Sequence, residues 1–214
     1  MKRAAALAAM VLLSSCTVCA CGSSAAAPPS QAATSLPRQA ATPVARPSAV
    51  VPAGWQSVTA SRARVVIAVP GNWTMLDASD FDTSSPTFLA NARRMHQSPA
   101  QVRRELTQFD FVAASPDHDG LVECSLTSLT ALPTYVVLQA AYVKLSLAMN
   151  AFAHVTTPLG PAVVTHSTGG NGRHVNAIYV SVPRGIVDIA VAARTAARAD
   201  ALTNSVLRSL RLAR

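Results

Sequence analysis

Three cysteines, Cys16, Cys19 and Cys21, fall within six residues in the stretch LLSSCTVCAC. Cys16 and Cys19 have the Cys-x-x-Cys spacing of a redox dithiol or of half a zinc site. A dithiol of that kind needs a strand–helix unit beside it, and a structural zinc needs a second ligand pair. The fourth cysteine, Cys124, lies over a hundred residues away, and neither a second Cys-x-x-Cys nor a His-x-x-x-His motif accompanies it. The chain before the cluster supplies a different chemistry. Lys2 and Arg3 precede an unbroken apolar run, Ala4 to Leu13, and then the small residues Ser14 and Ser15. A basic start, an apolar centre of about ten residues and a small-residue exit form a secretion signal, whereas a spanning helix needs roughly 20 apolar residues.

Leu13-Ser14-Ser15-Cys16 resembles the lipobox of bacterial lipoproteins, in which a branched apolar residue and two small ones precede the cysteine that receives a diacylglyceryl thioether. The resemblance implies cleavage after residue 15 and an acylated Cys16, of the palmitate-bearing type, as the first mature residue. Two or three acyl chains exceed the single chain that gives only marginal, reversible attachment. Val18-Cys19-Ala20-Cys21 is a weaker alternative lipobox.

Elsewhere the chemistry-bearing residues are scattered. Asp117-His118-Asp119 offers imidazole and carboxylate donors, but three adjacent side chains rarely converge on one ion, and flanking Pro116 and Gly120 mark a turn. Asp77, Asp80 and Asp82 lack the spacing and distal Glu of a calcium loop. His166 and His174 flank the turn Gly169-Gly170-Asn171-Gly172, with no third ligand or carboxylate beside them in the sequence. No nucleophile elbow, phosphate-binding loop or dinucleotide fingerprint occurs. The expectation is a chain without catalytic residues, metal or cofactor. Arg93, Arg94, Arg103 and Arg104 recur at about three helical turns, so two short helices can present a basic face to anionic lipid or a partner protein.

Composition sets the boundaries. From Gly22 to Pro52 the chain holds six of its 14 prolines, no aromatic residue and no acid, and cannot bury enough apolar surface to offset its ordering entropy. Three segments follow: signal peptide 1–15, lipidated N-terminus and Pro/Ala/Ser/Thr tether 16–52, and one domain 53–214. The tether, as a coil, spans on the order of 30 Å. The formal charge of +8 shrinks on processing. Without Lys2 and Arg3, 16 basic residues oppose 10 acidic ones, and Arg38 and Arg46 of the tether supply 2 of the remaining +6. A domain near +4 without basic blocks excludes nucleic acid as a partner and leaves a modest attraction to anionic lipid.

Strands are expected over Gly54–Val58 and Arg64–Val69, closed by Pro70-Gly71-Asn72, and short helices after Ser85-Pro86 and Ser98-Pro99, the second with a Ser98/Gln101 capping box. Strands follow at Phe109–Ser115 and Leu121–Thr130, where Cys124 sides with the apolar alternation as a buried, inert thiol. Leu138, Tyr142, Leu145, Met149 and Phe152 recur every three or four residues, which predicts one long helix over Pro133–Phe152. Strands Ala162–Ser167, His174–Val182 and Ile186–Ala193 form a meander, and a last helix from about Arg198 buries Leu202, Val206 and Leu210. The order predicts an α+β domain with an antiparallel sheet of about six strands flanked by helices.

The opening Gly54-Trp55, the run Val65–Val69 into Pro70-Gly71-Asn72-Trp73 and the closing Val206-Leu207-Arg208-Ser209-Leu210 resemble the PsbP-like fold, an α/β/α sandwich. With the lipobox and tether they resemble more narrowly the LpqN group of actinobacterial lipoproteins. The resemblance implies a binding or accessory module without shared catalytic residues, with Trp73 and Pro70 packing at a strand end. The expectation is therefore a lipoprotein anchored on the extracytoplasmic face of the cell membrane, a non-catalytic module for an envelope protein complex. The alternative is a carrier of lipid or another hydrophobic molecule, with Leu138, Tyr142 and Leu145 as its apolar wall. A carrier calls for an apolar cavity behind that helix, an association module for a packed core and an exposed patch.

Overall fold

Val65-Val66-Ile67-Ala68-Val69 has no polar alternation, and a strand so apolar must be covered on both sides. It forms the centre of a three-stranded antiparallel sheet, β1 (Trp55–Ala60), β2 (Val65–Pro70) and β10 (Arg211–Leu212), in the order β1-β2-β10. The computed structural model describes residues 46–77, 84, 86–94, 97–117, 119–145, 147–169 and 172–213. Beyond the small sheet lie β3 (Thr74–Asp77), α1 (Pro86–Arg94), α2 (Pro99–Gln108), β4 (Phe111–Ala114), β5 (Leu121–Leu126), α3 (Tyr135–Lys144), β6 (Ala148–Thr157), β7 (Gly160–Thr168), β8 (His174–Val182), β9 (Gly185–Ala193) and α4 (Ala196–Ser209). The second sheet has seven strands in the order β3-β4-β5-β9-β8-β7-β6, every neighbour antiparallel.

This is the expected α+β class, an antiparallel sheet flanked by helices. The front face of the seven-stranded sheet packs Val122, Cys124, Ile178, Val180, Ile189 and Val191 against Leu202 and Val206 of α4 and Ile67 and Val69 of the small sheet. The back face is covered in two places. Over β4 and β5, Ala92 of α1 and Val102 of α2 meet Val112 and Leu121; over β7 and β8, Leu138 and Tyr142 of α3 meet Val163, Ala177 and Tyr179. The capping box forms as expected, with Gln101 N–H donating to Ser98 Oγ at 3.3 Å and Ser98 N–H to Gln101 Oε1 at 2.9 Å.

Several expectations change. The long helix over Pro133–Phe152 is a ten-residue helix, α3, followed by the ten-residue strand β6. α3 stops at Leu145, whose N–H donates back to Ala141 O, and the β-branched and aromatic residues of β6 ladder onto β7 from Ala148↔Thr168 to Thr157↔Gly160. Met149 and Phe152 still join the cluster of Leu138 and Tyr142, arriving on a strand instead of a helix. The sheet has seven strands, β3 and β10 were not foreseen, and β4 and β5 are shorter than their predicted runs. The last helix begins at Ala196, and Arg211 lies on β10 beyond it. Packing also starts before residue 53, since Val50 N–H donates to Arg208 O at 2.8 Å and the Arg46 guanidinium lies beside Gly160.

Candidate functional site

α3 is capped by Thr134, whose Oγ1 accepts from Val137 N–H, and it closes with Lys144 in its last turn. Between the caps it is apolar on every side, YVVLQAAYVK. One side is spent on the core: Leu138 and Tyr142 are buried, each worth about 2 kcal/mol of transfer free energy, and Leu145 is half-buried. The other side leaves Val136 73% and Val143 64% exposed, with Tyr135 and Val137 beside them. Tyr135 meets Phe152 of β6 edge to face at 5.7 Å, and Phe152 meets His154 at 5.2 Å, so the apolar surface continues from helix to strand.

β6 is the last strand of the sheet, with β7 on one side and, among the described residues, no strand on the other. Natural edges are blunted with lysine, proline or inward charges. β6 has none of these in AMNAFAHVTT, and its one irregularity is the register shift between Met149 and Ala151. Thr157 Oγ1 donates to Gly160 O at 2.8 Å and accepts from Leu159 N–H at 3.2 Å, a tight turn that holds the hairpin with β7. Across residues 124–172 the chain has a single formal charge, Lys144.

On the α3 side the sheet mixes polar residues with the apolar ones that α3 packs on. Register places Ser125, Asp188 and Tyr179 in one row across β5, β9 and β8, and Glu123, Ala190, Ala177 and Thr165 in the next, extending to β7. Tyr142 Oη and Thr165 Oγ1 are 2.7 Å apart, and burial pushes the Tyr142 hydroxyl pKa up. Asp188 is 7% exposed, its Oδ1 has no hydrogen-bond partner, and burial raises its carboxyl to about 7. Gln139 of α3 likewise buries an unpartnered Oε1. Sequence alternation marked Glu123 and Ser125 as the polar side of their strand, which ordinarily faces water; instead each is 2% exposed, because helices cover this face too. Asp188 sits in the apolar run GIVDIAVAA, and that lone acid was the signal available for it.

Arg93, Arg103 and Arg104 are exposed on α1 and α2, while the side chain of Arg94 lies outside the described residues. Their helices cover the β4–β5 half of the back face and α3 covers the other, so the basic and apolar features belong to different covers. Cys16, with the signal, the alternative lipobox and the tether through residue 45, lies outside the described residues, as do Asp80, Asp82 and His118. Asp117 and Asp119 are structural. Arg198 Nη1 donates to Asp119 Oδ2 at 2.9 Å and reaches Asp117 at 3.5 Å, and Arg194 N–H donates to Asp119 Oδ1 at 3.0 Å. A bond from Ser115 Oγ and the Asp119 N–H hold the Asp117 carboxyl down at about 2. His166 pairs with Asn176 and His174 with Thr168, so the two are diagonal, and α4 supplies the carboxylate that the sequence did not reveal, Asp200, 3.3 Å from His166 Nδ1. Among the described residues no group of three acidic, histidine or cysteine side chains can hold a metal ion, and no helix is long and apolar enough to cross a membrane. Cys124 is fully buried as expected, and desolvation pushes its thiol up. Trp73 packs over Gly120, where an added Cβ would lie 2.6 Å from the indole ring.

The fold and surface define an α+β domain with two antiparallel sheets and, at β6, an uncharged sheet edge beside an exposed apolar helix. No protein-family model matches the chain, and no curated protein does either. Among solved structures it is similar to the solution structure of cyanobacterial PsbP (CyanoP) from Synechocystis sp. PCC 6803, with 12% identity and a TM-score of 0.45 over 80% of this chain and 99% of that one. Likeness at that level concerns outline and carries nothing about function.

Proposed function

We propose that the chain is a PsbP-like lipoprotein akin to the LpqN group, anchored through Cys16 on the extracytoplasmic face of the cell membrane, whose domain is a non-catalytic binding module for an envelope protein complex. The observation that supports this most is the exposed apolar side of α3 continuing into the uncharged edge of β6. Contiguous apolar surface of this kind is a mark of protein association, and an open sheet edge adds unpaired backbone donors and acceptors to it. The packed contact of Leu138 and Tyr142 with the sheet fits a module better than a carrier.

Two experiments test the two halves of this reading. Cys16→Ser is expected to move the protein from the membrane to the soluble extracytoplasmic fraction; retention in the membrane overturns the anchor. A photoreactive side chain at Val136 is expected to capture a discrete protein in the intact envelope, while one at exposed Thr59 of β1 does not. Equal capture at both positions overturns the docking face. A second reading, carriage of a lipid or other hydrophobic molecule, is supported by the unpartnered acceptors of Asp188 and Gln139 beneath α3, which would suit a headgroup bearing hydrogen-bond donors. Capture of lipid instead of protein at Val136 would favour it.

A further inference from the structure

We infer that the partner seated on this face is a second copy of the same chain, β6 pairing antiparallel with β6 of its mate across a two-fold axis while the exposed sides of the two α3 helices close over the junction. The inference rests on the docking reading of the α3–β6 face.

Geometry makes the pairing self-consistent. A two-fold axis perpendicular to a strand always brings it against itself in the antiparallel sense, and the other strands of this sheet already pair that way. After the register shift at Met149/Ala151, β6 runs regularly from Ala151 to Thr157, long enough for a complete ladder about 24 Å long. The opposite edge, β3, has four residues and carries α1 against it. Of the two edges of the seven-stranded sheet, β6 is therefore the one open to a strand.

Charge selects the occupant. Like charges brought together across a two-fold axis repel, and the domain is net basic, with exposed Arg93, Arg103, Arg104, Arg194 and Arg208 on its other faces. Two copies meeting through those faces would place arginine against arginine. Through residues 124–172 they bring one formal charge each, Lys144 at the end of α3, with Arg46 beside the β6–β7 turn as the other charge close to this edge. A different partner is ordinarily chosen by complementary charge, and this face offers almost none to read. Apolar contact combined with backbone pairing needs no complementary charge, and a copy of the same surface supplies both. A bilayer is the poorer fit, because the free N–H and C=O groups of β6 would find no partners in hydrocarbon.

The test uses the full chain extracted with its native N-terminus. Sedimentation equilibrium in density-matched detergent is expected to show a monomer–dimer equilibrium, with hydrogen exchange of alternate amides within 151–157 slowing as the dimer fills. Ala153→Lys combined with Val143→Lys, both at exposed positions, is expected to weaken dimerisation at least about tenfold, the scale of one desolvated like-charge contact. Its thermal unfolding serves as the check on folding. Arg103→Glu with Arg104→Glu on α2 is expected to leave dimerisation intact. A monomer at all concentrations up to about 100 μM overturns the inference, as does a dimer indifferent to the β6 and α3 lysines. Such a monomer that still captures a distinct protein at Val136 would sink self-pairing and leave the docking face standing. A monomer that captures nothing would sink both.

Discussion

Two buried carboxyls, one entering β4 near an edge of the seven-stranded sheet and one on its central strand β9, show how differently two parts of this domain are held. Asp110, entering β4, is fully buried and accepts from Arg62 Nε at 2.6 Å and from the backbone N–H groups of Arg62 and Ala63 at 3.3 and 3.1 Å. Asp188, on β9 facing the α3 side, is almost as deeply buried and has an oxygen with no partner. The first fastens the β1–β2 loop to the sheet; the second leaves one buried oxygen unsatisfied. The same division extends outward. Around β4, β5 and the start of α4, Asp117, Asp119, Arg194 and Arg198 pin irregular loops with ion pairs, whereas α3, β6 and β7 form with hardly a charge. Charge is concentrated where loops must be tied down and withdrawn where a surface is left open.

The largest effect that would sharpen this contrast is in the pH dependence of stability. Asp188 is neutral in the folded state up to about pH 7 but ionises near 3.8 when unfolded, so the unfolded state binds fewer protons between those values. Stability should fall as pH rises from about 4 to about 7, by roughly 1.4 kcal/mol per pH unit and on the order of 4 kcal/mol in all, and then level. Urea titrations at stepped pH check this, and Asp188→Asn should flatten the slope; a slope unchanged by the substitution would remove Asp188 as its source. Next, Asp110→Ala leaves two buried N–H groups and Arg62 without their acceptor. It should cost about 3 kcal/mol in urea unfolding at neutral pH, and a loss below about 1 kcal/mol would break the idea that this half is held by its ion pairs. Tyr142→Phe removes the hydroxyl that bonds Thr165 and Ser167 and should cost about 1–2 kcal/mol, read in the same way. Smallest of all, Val143→Lys should change stability by less than about 0.5 kcal/mol, because its side chain is 64% exposed. A larger loss would mean that the open side of α3 serves the fold.

How much of this was legible beforehand depended on whether a residue's surroundings follow from its neighbours in sequence. The capping box at Ser98, the fully apolar β2 and the stripe of α4 are local patterns, and each formed as expected. Leu138, Tyr142, Met149 and Phe152 were rightly placed in one cluster but wrongly on one helix. Their spacing of three or four residues is met equally well by a helix that stops at Leu145 and a strand that folds back beside it. That misreading hid the most informative surface, because a residue inside a helix has no sheet edge to expose. Glu123 and Ser125 taught a second lesson. Period-two alternation separates the sides of a strand, but whether the polar side meets water depends on helices that arrive from elsewhere in the chain.

The small sheet closes only with residues 209–213. β10 pairs Arg211 with Val66 and Leu212 with Val65, Ala213 N–H donates to Arg64 O at 2.9 Å, and Ser209 Oγ accepts from Ala68 N–H at 2.9 Å. Strand β2 therefore waits for residues made some 140 positions after it, and until they emerge its apolar side lacks both the helix and the strand that cover it. Contacts of such long sequence separation slow folding. A ribosome still holding the last turn of α4 holds a small sheet that is not yet closed, so the order of synthesis makes that sheet the late part of the domain.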